Sequence, residues 1–124
     1  SNGVIRFDKM KIELSEMDTY AFDNFLGGEG SYYRAMFSYE SNIIFKGFLN
    51  PSSKIGMISR DDRNEVIIIL KGNGLIREKE ADSDNLSVYN VSAGDSVYIP
   101  KGQSYDVQNT SQEDSLIFYS VLCK

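Results

Sequence analysis

From Ser31 onward, apolar and polar residues come in short runs rather than in helical stripes. Tyr32 to Tyr39 and Ile43 to Leu49 are rich in aromatic and β-branched side chains, which suit a pleated surface. Asn50-Pro51-Ser52-Ser53 reads as a turn, since proline fixes φ and its polar neighbours hydrogen-bond locally. The pattern then predicts strands at Ile55 to Ser59, Glu65 to Leu70, Leu75 to Glu80, Leu86 to Val91, Val97 to Ile99, Tyr105 to Asn109 and Leu116 to Leu122. The apolar run Val66 to Leu70 is expected to be buried on both faces. Leu86 to Val91 alternates, with Leu86, Val88 and Asn90 on one face and Ser87, Tyr89 and Val91 on the other. Gly72-Asn73-Gly74, Ala93-Gly94-Asp95 and Pro100-Lys101-Gly102 are turns, and residues 81–85 form a solvated acidic loop. The first thirty residues read differently. Ser15-Glu16-Met17-Asp18 resembles a capping box, and Leu14, Met17, Ala21 and Phe25 follow a helical spacing until Gly27-Gly28-Glu29-Gly30 ends it. An all-β antiparallel sandwich or small barrel with a short irregular or helical N-terminal segment is expected.

Composition narrows the function. The 124 residues make one domain, 41% hydrophobic and 25% charged, with a net charge of −5. An acidic surface argues against nucleic acid, whose phosphates reward a basic face. No apolar run approaches the roughly 20 residues of a membrane span. No charged stretch leads into an apolar one at the start, so no secretory leader is expected. The single cysteine, Cys123, excludes an internal disulfide and fits a cytoplasmic setting. With no histidine anywhere to activate it, Cys123 reads as structural or incidental. The glycine cluster at 27–30 lacks the lysine of a phosphate loop and reads as plain loop.

The second half carries a more specific pattern. Gly94, Pro100, Gly102, Tyr105 and Asn109 are spaced as in the second motif of the cupins, with Tyr105 where that family has histidine. IGMISRDDRNEV, Ile55 to Val66, resembles the first motif, in which two histidines one residue apart precede a glutamate and a glycine turn. Ile58 and Arg60 stand at the histidine positions, Glu65 matches the glutamate, and Gly72 with Gly74 matches the turn. The resemblance spans about residues 43–121 and implies a double-stranded β-helix, close to a jelly roll, as a single cupin domain over 1–124. It also implies a pocket in the barrel mouth where Ile58, Arg60, Glu65, Tyr105 and Asn109 converge, and commonly a homodimer.

In the family that pocket holds a metal, and here the donor set is wrong for one. Isoleucine and guanidinium offer no lone pair, and a phenol with pKa near 10 is a poor ligand. No metal and no cofactor are therefore expected. A buried Glu65 without its cation needs another positive charge, which Arg60 can supply, with the Tyr105 hydroxyl as a further donor. Asp61 and Asp62 read as solvated charge rather than as ligands for a hard cation, and Asp106 as surface charge facing away from Tyr105. Three functions fit. The first is a metal-free protein that binds a small carboxylate or sugar-like molecule, or acts as an accessory subunit. The second is a cofactor-independent isomerase or lyase using Glu65 or Tyr105 as acid or base, and the third a structural dimer with a closed pocket.

Overall fold

The structure, a computed structural model, describes residues 18–39 and 41–124. Among these residues ten strands follow in order: β1 (Asp18–Asp23), β2 (Ser31–Tyr39), β3 (Asn42–Leu49), β4 (Lys54–Ser59), β5 (Asn64–Lys71), β6 (Asn73–Lys79), β7 (Leu86–Ser92), β8 (Ser96–Ile99), β9 (Ser104–Asn109) and β10 (Leu116–Cys123). They form a six-stranded sheet, β1-β2-β3-β10-β5-β8, and a four-stranded sheet, β4-β9-β6-β7. Every strand pairing is antiparallel. The all-β jelly roll expected from the resemblance is what the chain adopts.

Strand alternation builds the interior. On β10, Leu116, Phe118, Ser120 and Leu122 point inward and are buried, while Ile117, Tyr119 and Val121 between them stay half-exposed. Ile67 and Ile69 from the larger sheet meet Ile55, Ile76 and Val107 from the smaller one in a single core. Phe45 and Phe118 are buried as expected of strand aromatics, whereas Phe37, Phe48 and Tyr119 lie half-buried. No helix among the described residues is long and apolar enough to cross a membrane.

Several expectations change. Residues 18–23, part of the helical spacing, form β1, held by pairing with β2 from Asp18↔Met36 to Asp23↔Ser31. Among the described residues only Phe25–Gly27 is helical, as one 3-10 turn, and Leu14, Ser15, Glu16 and Met17 lie outside them. That turn docks on β4 so closely that a Cβ on Gly56 would sit 1.9 Å from the Leu26 carbonyl oxygen. Of the Gly72-Asn73-Gly74 turn, only Gly72 takes a positive φ (94°), while Asn73 and Gly74 already belong to β6. Strand β5 is buried on its inner face alone: Val66 and Ile68 are half-buried and Leu70 is exposed. Strand β7, at the edge of the smaller sheet, buries only Val91, and Leu86, Val88 and Tyr89 lie open to solvent.

Candidate functional site

The site sits where β4, β5, β9 and β10 face one another at one end of the barrel. Ile58 pairs with Tyr105 across β4 and β9, which places both on the inner face. Glu65, at the start of β5, pairs with Leu122 of β10 and turns inward with Ile67 and Ile69. Its side chain is 3% exposed, so the carboxylate has lost nearly all of its water. An ion this buried must be hydrogen-bonded and paired.

Both carboxylate oxygens of Glu65 are engaged. Arg60 Nη1 donates to Oε1, and the Tyr105 and Ser120 hydroxyls both donate to Oε2. The same guanidinium nitrogen lies 3.4 Å from the Tyr105 oxygen, within reach of a second donation. Arg60 extends from just past the end of β4, where Gly102 N–H donates to its carbonyl at 2.8 Å and ties the β8–β9 turn to it. Burial, the largest single influence, lowers the Arg60 pKa, but Glu65, Tyr105 and Tyr32 together outweigh it and hold the guanidinium above its usual value. Burial pushes Tyr105 well above the ordinary phenol range, and the Glu65 charge pushes it further. Tyr105 therefore stays protonated and donates.

Asn109 departs from the expected pocket. It lies four residues along β9 from Tyr105, about 13 Å away at the strand rise. There its Nδ2 sits within hydrogen-bond distance of the carbonyls of Leu49 (3.0 Å), Asn50 (3.1 Å) and Asp114 (2.8 Å). Its Oδ1 accepts from Ser111 N–H at 2.9 Å. An amide so fully used ties loops together and has nothing left to offer a ligand. Asp106 is a second correction. It faces away from Tyr105, yet it is buried, because Arg77 clamps it with Nε 2.9 Å from Oδ2 and Nη2 on the same oxygen. Asp61 and Asp62 are exposed.

The residual space in the barrel is about 10 Å³, enough for one water-sized occupant. Ile58, Arg60 and Tyr105 line it, together with Tyr32, Arg34 and Ser120. The last three are absent from the motif positions. Ser120 and Arg34 are nonetheless visible in the alternation of their strands, as polar residues on an otherwise apolar inward face.

The residues at this place do not fit a metal. Of the four positions that carry ligands in the cupin motifs, only Glu65 has a competent donor, and three hydrogen bonds already occupy it. Among the described residues no three His, Cys, Asp or Glu side chains converge on a point.

Comparisons with known proteins agree with this architecture. The cupin domain model matches residues 48–122. No curated protein matches the chain. Among solved structures, a predicted oxalate decarboxylase from Thermotoga maritima is similar with a TM-score of 0.77 and 23% identity, over 98% of each chain. Drosophila melanogaster CENP-C bound to CAL1 is similar with a TM-score of 0.70 and 16% identity, over 87% of this chain and 81% of that one. A Bacillus halodurans protein is similar with a TM-score of 0.70 and 16% identity, over 98% of this chain and 80% of that one. At these identities the likenesses describe the fold. The family match covers more than half of the chain and falls on the strands that carry both motifs, and this protein belongs to the cupin family.

Proposed function

We infer that this cupin works without a metal, as a binding or accessory module rather than as a metal-dependent enzyme. The observation that carries the reading is the internal ion pair: Arg60, Tyr105 and Ser120 surround Glu65 at the motif positions where relatives gather metal ligands. A guanidinium placed there supplies the positive charge that a buried carboxylate requires. Arg60 also lines the space beside the pair and keeps about a fifth of its side chain exposed (22%). A small carboxylate or sugar-like acid is the ligand class that such a donor suits.

The isomerase or lyase reading is weaker on the same geometry. A general base needs an accessible lone pair within reach of substrate, and Glu65 is buried with both oxygens already accepting from internal donors. Tyr105, held protonated by burial and by Glu65, is a poor base. The reading as a structural homodimer with a closed pocket gains support from the 10 Å³ left inside.

Thermal denaturation with added Mn²⁺, Fe²⁺, Ni²⁺ or Zn²⁺, and with EDTA, tests the reading. The midpoint is expected to stay unchanged in every case, because no ligand-linked stabilisation operates. A metal-induced rise that EDTA reverses would overturn it.

A further inference from the structure

The barrel mouth holds a second guanidinium that the motif positions do not include. Arg34, on β2, lines the same residual space as Arg60. Its guanidinium carbon lies 4.3 Å from the centre of the Phe45 ring and 5.3 Å and 5.4 Å from those of Phe25 and Phe22. Ring faces attract a cation but accept no ordinary hydrogen bond, and the Arg34 Nε–H is buried with no partner. An orphaned buried donor on a charged group is costly and calls for a guest.

The charge balance says what kind of guest. Among the described residues no carboxylate forms an ion pair with Arg34, whereas Glu65 is already committed to Arg60. Glu78 faces the same side as Tyr105 from β6, but its partner is the Tyr89 hydroxyl and it reaches neither arginine. Tyr32 adds no negative charge, because burial pushes its pKa up to about 12. Two guanidinium groups thus share one carboxylate. A water in the 10 Å³ beside them would satisfy the N–H but leave the charge unbalanced.

We propose that Arg34 and Arg60 form a site for the carboxylate of a small organic acid. One carboxylate oxygen takes the space beside Arg34, and the half-buried Phe25 ring, packed against Phe22, Tyr32 and the Arg34 guanidinium, moves aside for the rest of the guest. The carbon skeleton then lies against Phe22 and Phe45. This deepens the binding-module reading and rests on it.

Sodium acetate titrated into ¹⁵N-labelled protein tests the site, with sodium chloride keeping the ionic strength constant. The expected result is a saturable shift of the Arg34 Nε–H resonance and a rise in the thermal midpoint. In Arg34→Lys, which keeps the charge but loses the Nε–H, the half-saturation concentration read from neighbouring amides is expected to rise about tenfold, the loss of one charge-assisted hydrogen bond. A shift in the unaltered protein that stays linear in acetate overturns the site even if Arg34→Lys fails to fold. Saturation by chloride alone, or equal acetate affinity in Arg34→Lys, overturns it too. Metal bound stoichiometrically in the same samples would instead strike at the metal-free reading, so the two failures are distinguishable.

Discussion

Arg60→Met is expected to cost about 3–5 kcal/mol of folding stability, the usual loss when one partner of a buried pair is removed. The methionine keeps much of the side-chain volume, so the loss reports charge rather than packing. Glu65 would remain 3% exposed with only the Tyr105 and Ser120 hydroxyls on Oε2 and nothing on Oε1. Urea denaturation measures the loss. Adding Glu65→Gln to Arg60→Met is expected to recover a large part of it, because the stranded anion is then gone. If Arg60→Met instead costs no more than the roughly 0.5 kcal/mol of an ordinary surface change, the ion pair is not what holds the site.

Asn109→Ala is expected to lose about 3 kcal/mol, although it touches no part of the proposed ligand site. Its amide serves carbonyls from Leu49, Asn50 and Asp114, and Leu49 is fully buried. Alanine would take a donor from each of these carbonyls, of which Asn50 keeps the Ser53 N–H at 3.1 Å, and each buried orphan costs about 1–3 kcal/mol. Asn109→Asp tests the geometry further, since it places an acceptor against three acceptors and should be at least as damaging. Because the amide ties the end of β3 to the β9–β10 loop rather than holding a ligand, a thermal midpoint in either variant that matches the unaltered protein would contradict its structural role.

How far the sequence reveals the fold depends on where each signal comes from. The strands from Tyr32 to Leu122 are legible because period-2 alternation and glycine or proline turns mark them locally. Residues 18–23 mislead because the i, i+3, i+4 spacing of Met17, Ala21 and Phe25 is a local signal, while β1 exists through pairing with β2. The outer face of β5 misleads in another way. Val66, Ile68 and Leu70 make the strand look doubly buried, yet in this chain nothing among the described residues fully covers that side.

At the site, Arg60 meeting Glu65 and Tyr105 follows from electrostatics that a sequence carries: a buried carboxylate demands a cation, and of the two arginines in the motif it is Arg60 that shares the face of Ile58, while Arg63 turns to the Ser41 carbonyl. Asn109 shares the face of Tyr105, which suggests a common pocket, but alternation fixes a face and says nothing about distance along the strand. Ser120 and Arg34 come from strands far from both motifs in sequence, and only the antiparallel pairings of β10 and β2 bring them to the mouth. Asp106 reads as surface charge until Arg77, its neighbour across β6 and β9, is seen to cover it.

An arginine-centred hydrogen-bond network stands at the positions that carry ligands in the cupin motifs. The metal-to-protein ratio tests it most directly, measured by mass spectrometry on protein produced in medium supplemented with manganese, iron, nickel and zinc. Far less than one equivalent of any of these metals is expected after dialysis. A ratio close to one that persists through dialysis against EDTA would contradict it.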